Sequence, residues 1–179
     1  MASPITDSTY EPIGRRHIRR LLAEFQSFEP GARERAVLAL EGLDRAAVIR
    51  ELGSLLQSRD AELRCDAAEA LLRIDSNQAI DLVLPLLTDP MSTVRWNMCG
   101  LLHDFGDSRS IPFLVQVLLN DPEADVRLMA AHALGEVGDR SILSALRQVA
   151  ASDDGTDYQG RRVGDAATDA IESVLAREA

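Results

Sequence analysis

Lysine is absent from this chain, and its 19 cationic side chains are all arginines. That excludes a phosphate-cradling GKS or GKT loop and any Schiff-base chemistry, both of which need a lysine amine. Aromatic residues are scarce at 4%, and Ala and Leu dominate the apolar set. Closely packed helices suit that composition better than a sheet. The two cysteines, Cys65 and Cys99, lack CxxC spacing. They read as buried or half-buried residues of a reducing compartment, not as a disulfide or zinc set. No apolar run approaches the roughly 18 residues that cross a bilayer. The polar stretch from Met1 to Gly14 has no signal-peptide core. A cytoplasmic protein without membrane association is the expectation.

Positive charge is also outnumbered, with 29 acidic residues against 19 arginines and a net charge of -10. Nucleic-acid binding rests mostly on phosphate neutralisation, so this balance argues against it. A basic protein partner fits best, although acidity also serves solubility. GxSxG, HExxH and dinucleotide glycine signatures are missing. His17, His103 and His132 share no repeat position and no metal-ligand spacing. An acid–base pair of His103 and His132 with Asp104 or Glu69 would lack a nucleophile motif. The expectation is therefore a non-catalytic protein with no cofactor and no metal.

What the chain does have is self-similarity. Leu63-Arg64-x-x-Ala67-Ala68-x-Ala70-Leu71 returns as Val94-Arg95-x-x-Met98-Cys99-x-Leu101-Leu102 and again as Val126-Arg127-x-x-Ala130-Ala131-x-Ala133-Leu134. An earlier copy is Ala32-Arg33-x-x-Ala36-Val37-x-Ala39-Leu40. The arginines fall 31, 31 and 32 residues apart. Units of that length cannot bury their own apolar faces, so they must stack on one another as a solenoid.

Within a unit the apolar spacing is helical. Ile111, Leu114, Val115, Leu118 and Leu119 line one face, and Asn120-Asp121-Pro122-Glu123 then stops the helix. Val126, Ala130, Ala133, Leu134 and Val137 line the next helix, which Gly138-Asp139 closes. Extending this register predicts five helix pairs at approximately 14–42, 45–73, 76–105, 109–137 and 140–176, in one domain over 14–177. Residues 1–13 read as a flexible tail. From Val126 to its counterpart Val163 is 37 residues, so about five are inserted near Ser152–Gly160.

Period, unit and motif together resemble HEAT repeats, in the short bacterial form also found in phycobilin lyase subunits. The resemblance rests on the arginine motif, on Pro85 and Pro112 in first helices, and on an Asp six residues before the Arg. Those pairs are Asp89 with Arg95 and Asp121 with Arg127, whereas Ser27 and Ser58 replace the Asp and Gly164 replaces the last Arg. It implies an all-α fold, a right-handed α–α superhelix or solenoid of about five helix pairs. The four ladder residues Asp89, Arg95, Asp121 and Arg127 are expected to bond between neighbouring turns, a structural role. The function implied is a protein-binding scaffold or adaptor, the alternative being an accessory subunit or chaperone of a cofactor-attachment enzyme of the phycobilin lyase type. A DNA-repair role would need a basic groove with several aromatics, and the charge has the wrong sign.

The resemblance also places second helices on the concave wall. Positions not needed for packing then form rows across the repeats, because adjacent helices lie about 8–10 Å apart. Those rows predict a partner groove of Cys65, Asp66, Glu69, Trp96, Asn97, Leu128, Met129 and His132. Trp96, the single tryptophan, reads as an interface anchor at its centre or as a filler between repeats. In the insertion, Asp157, Tyr158, Arg161 and Arg162 read as a contact patch or as the cap of the last repeat. Its three aspartates lack EF-hand spacing and a closing Glu. Leu21, Leu22, Phe25 and Phe28 make the first pair apolar enough for the end of the array to pair two copies.

Overall fold

The computed structural model describes residues 13–24 and 29–177. Most of the segment read as a tail, residues 1–12, lies outside that range, as do Phe25 and Phe28. Nine α-helices are found among the described residues: α1 (Ile13–Ala23), α2 (Ala32–Glu41), α3 (Arg45–Leu55), α4 (Ala61–Val83), α5 (Ser92–Phe105), α6 (Ile111–Asn120), α7 (Ala124–Val137), α8 (Leu143–Ser152) and α9 (Val163–Arg177). Short 3-10 segments, Leu84–Thr88 and Arg140–Ile142, continue α4 and introduce α8. The helices pack in two layers, an all-α solenoid. One layer holds α2, the first half of α4, α5, α7 and α9 side by side, and the other holds α1, α3, the rest of α4, α6 and α8.

Small residues at the repeated positions set the spacing of the first of these layers. Ala67, Ala68, Ala70, Ala130, Ala131 and Ala133 are fully buried, and so are Leu71, Leu102 and Leu134 at equivalent places in successive units. Truncating any of those leucines to Ala should cost about 3 kcal/mol through lost transfer energy and a residual cavity. Between α7 and α9 the approach is close. A side chain on Gly135 would put its Cβ 3.2 Å from the Cα of Ala170.

One expected boundary is more continuous than the pattern suggested. The end of the pair predicted over 45–73 and the start of the next, at 76, run together as α4, broken only at Asp75 (φ −161°, ψ 86°). The Asp75 carboxylate accepts the Gln78 N–H at 3.2 Å and so caps the second half. Arg45 of α3 ties the junction, donating to the Ile74 carbonyl at 2.6 Å and pairing with Asp75 at 3.3 Å. At the start of the array Leu21 and Leu22 are 4% and 1% exposed, covered where α1 packs on α2 and α3. They offer no open apolar end to a second copy. Among the described residues no helix is long and apolar enough to cross a membrane.

Candidate interaction groove

The turns between helices carry a ladder whose rungs are identical in design. Arg64 donates from Nε and Nη2 to both oxygens of Asp89, each at 2.7 Å. Arg95 does the same to Asp121 at 2.6 and 2.9 Å, and Arg127 to Asp153 at 2.7 and 3.0 Å. The remaining Nη1 of each arginine donates back to a carbonyl six residues earlier, on Ser58, Asp89 and Asp121. Each aspartate also accepts the N–H two residues ahead, on Met91, Glu123 and Gly155. The repeat unit thus recognises the next unit's turn through a bidentate, charge-assisted pair. Arg64 and Asp153 complete this ladder although the spacing of an Asp six residues before an Arg pairs neither of them. Their signal lies in the longer spacing, since each Arg precedes its Asp by 25 or 26 residues. Every guanidinium nitrogen and carboxylate oxygen of these rungs has a partner within the fold.

The predicted groove residues fall on the second-helix layer with unequal access. Trp96 is 38% exposed, and Asn97 beside it is exposed with its amide donating to the Thr93 carbonyl at 2.9 Å. Cys65, Asp66, Glu69, Met129 and His132 are half-buried. Glu69 accepts from Arg73 at 2.8 Å, and the Arg73 guanidinium lies 5.7 Å over the Phe105 ring. Leu128 is a correction: at 1% exposure it belongs to the core and cannot touch a partner. Gly155 of the inserted loop lies against Ala124 and Arg127 at this end of α7.

That loop is built around Asp157. Its side chain is 2% exposed and accepts from the Arg161 guanidinium at 2.7 Å, from the Arg161 N–H at 2.8 Å and from the Gln159 N–H at 2.9 Å. Burial alone would push its carboxyl up, and these donors more than offset that, holding it below the usual range. Asp157 therefore organises the loop and does not belong to an exposed contact patch. Tyr158, Arg161 and Arg162 do face outward, with Tyr158 at 80% exposure. Arg161 is spoken for by Asp157, and Arg162 pairs with Asp154 at 2.5 Å.

The loop reaches back to the start of α7. The Tyr158 N–H donates to Asp125 at the start of α7 at 3.1 Å. This contact brings Tyr158 to a hollow of about 360 Å³ lined by Ser92, Thr93, Trp96 and Asn97 of α5, by Glu123, Asp125 and Val126 at the start of α7, and by Tyr158 itself. Two residue sets that the sequence kept apart, the Trp96 row and the loop, meet here. A second hollow of about 350 Å³ lies along the same layer, lined by Glu34, Val37, Leu38, Glu41, Arg73 and Phe105.

Reactive groups are muted. Burial, helped by Asp66, pushes the Cys65 thiol up to about 11, and burial pushes Cys99 up to about 12, so neither is a thiolate at neutral pH. Burial holds His132 below its ordinary value, with nearby Arg161 and His103 adding to the shift and Asp169 and Asp157 opposing it. His103 hydrogen-bonds through Nδ1 to the carboxylate of its neighbour Asp104, which accepts at 2.8 Å. Among the described residues no three His, Cys, Asp or Glu side chains converge as a metal set.

A family model for HEAT repeats matches residues 18–95 and 80–163. The chain belongs to the HEAT-repeat family. HEAT repeats form helical scaffolds that generally mediate protein–protein interaction, and such repeat folds are typically non-catalytic. An engineered protein of known crystal structure is similar in fold, with a TM-score of 0.53 and 22% identity over 89% of this chain and 79% of that one. A second engineered protein aligns at TM-score 0.48 and 22% identity, over 89% and 81% of the two chains. No curated protein matches this HEAT-repeat chain.

Proposed function

We propose that this HEAT-repeat protein is a non-catalytic scaffold that holds a basic protein partner on its second-helix layer, around Trp96. The observation that carries the reading is Trp96 itself. The single tryptophan of a chain poor in aromatics stands 38% exposed beside an open hollow, where the repeat needs no apolar residue. Large aromatics left partly in water and edged by polar groups are favoured anchors at interfaces. The net charge of -10 supports a partner of opposite sign, drawn in by charge steering.

The test is a quantitative pull-down from the source organism's lysate with wild type and a Trp96→Ala/His132→Ala double variant as baits. A protein recovered only by wild type names the partner. Its affinity for the single Trp96→Ala variant should fall by about 2 kcal/mol while the melting temperature barely moves. Its association rate should fall as salt rises past the screening range of about 0.1 M. A large loss of stability with binding intact makes Trp96 a core residue and ends this reading.

A further inference from the structure

The two hollows share aromatic rings and carboxylates, and only one of them holds a cation. In the hollow between α2, α4 and α5, an aromatic ring (Phe105) and carboxylates (Glu34, Glu41) are accompanied by Arg73, stacked 5.7 Å over the ring. In the hollow between α5, α7 and the loop, two aromatics (Trp96, Tyr158) and two carboxylates (Glu123, Asp125) line the wall, and none of the described lining residues is a cation. The fold itself places a guanidinium in the first setting and leaves the second without one.

We infer that the Trp96–Tyr158 hollow is a pocket for an arginine side chain of the partner, deepening the scaffold reading on which it rests. Three features favour that occupant. Aromatic faces attract a cation through the ring quadrupole, and a planar guanidinium stacks on them where an ammonium cannot. Asp125 is pre-set by the Tyr158 N–H bonded to its Oδ1, and no hydrogen bond from the described residues is taken by its Oδ2. Glu123 feels the charges of Arg95 and Arg127, but those guanidiniums are committed to Asp121 and Asp153. The first turns of α5 and α7 oppose a cation with about half a unit of positive charge each. Two full carboxylate charges outweigh them. An anion, the usual guest of helix N-termini, would meet those carboxylates and is disfavoured.

Trp96 is the chain's only tryptophan, so its emission reports on the pocket directly. The probe is a short acetylated and amidated Gly/Ser peptide carrying two arginines, titrated into the full chain beside twins with citrulline or lysine in their place. Saturable change in Trp96 emission with the arginine peptide is expected, at least about fivefold tighter than with either twin. Tyr158→Ala removes an exposed ring and leaves the backbone bond to Asp125, so folding is spared. Asp125→Asn keeps the Oδ1 acceptor and removes the charge. Each should weaken the arginine peptide by about tenfold, and Glu172→Gln, exposed on α9 and outside the lining of the hollow, should not. Equal binding of the citrulline or lysine twin, no saturable change, or full affinity in Tyr158→Ala overturns the pocket. Should that happen while Trp96→Ala still loses the partner, the scaffold reading survives alone. Arginine-selective binding in a chain whose Trp96→Ala variant keeps every partner leaves the pocket and removes the scaffold reading.

Discussion

The hollow at Leu38 and Phe105 and the hollow at Trp96 and Tyr158 have nearly the same volume, about 350 and 360 Å³, on one layer of helices. The first lies by the C-terminal ends of α2 and α5, where Leu38 is 67% exposed and Arg73 answers both Phe105 and Glu69. The second lies by the N-terminal turns of α5 and α7 and owes one wall to an insertion that no other repeat has. The first sets a cation of the chain itself among its carboxylates. The second has no cation among its described lining residues. A regular array thus acquires a distinct surface through one altered loop, while the frame beneath both hollows stays the same.

That frame is the ladder, and breaking it should produce the largest effect. Arg95 and Asp121 have side chains 11% and 5% exposed. Asp121→Ala leaves the guanidinium buried without its partner and frees the turn at Glu123, for a loss of about 3 kcal/mol. In a chain of this size that lowers the melting temperature by roughly 6–12 °C, measurable by calorimetry. Both hollows should deteriorate together. Unchanged stability would mean that packing alone fixes the spacing of the repeats.

The ladder also marks how far the sequence could be followed. The all-α solenoid was legible because Arg33, Arg64, Arg95 and Arg127 recur at constant period with the same Ala and Leu around them. Arg64 and Asp153 were harder to see, for reasons that are physical. Ser58 stands where the local motif has an Asp, yet Arg64 needs only its carbonyl there and finds its carboxylate 25 residues on, at Asp89. Asp153 belongs by composition to an acidic loop, and its rung depends on a contact 26 residues back. Trp96 declared itself by being alone of its kind. The meeting of Tyr158 with Asp125 did not, because an aperiodic loop returning 33 residues leaves no pattern in the sequence.

A smaller effect sharpens the contrast between the hollows by making them alike. Arg73→Ala removes a guanidinium 37% exposed in its pair with Glu69, a loss of no more than about 1 kcal/mol. It leaves Phe105, Leu38, Glu34 and Glu41 around a vacated space. If a stacked arginine is what such a hollow takes, the variant should bind the arginine peptide at a second, weaker site. Titration calorimetry would read the stoichiometry rising from one to two. A stoichiometry that stays at one means that aromatic and acid alone do not make the site, and the comparison with Phe105 loses its force.

The smallest effect expected belongs to the loop end alone. Burial and the Arg161 charge hold His132 below its ordinary value of 6.5 in the folded chain. The unfolded chain therefore takes up a proton first as pH falls, so the folded state is penalised. His132 contributes its full share of stability above about pH 6.5, loses it progressively below that, and levels off beneath the lowered folded value. His132→Gln should flatten this part of the pH profile of the melting temperature between pH 7.5 and 5.5 without changing the rest. The groups facing His132 with opposite sign are Asp169 and Asp157, and their attraction for the imidazolium keeps the slope shallow. A steeper acid loss in His132→Gln than in wild type would reverse the sign. It would mean that the carboxylates outweigh burial and Arg161, and that His132 is held charged against the loop instead of neutral beneath it.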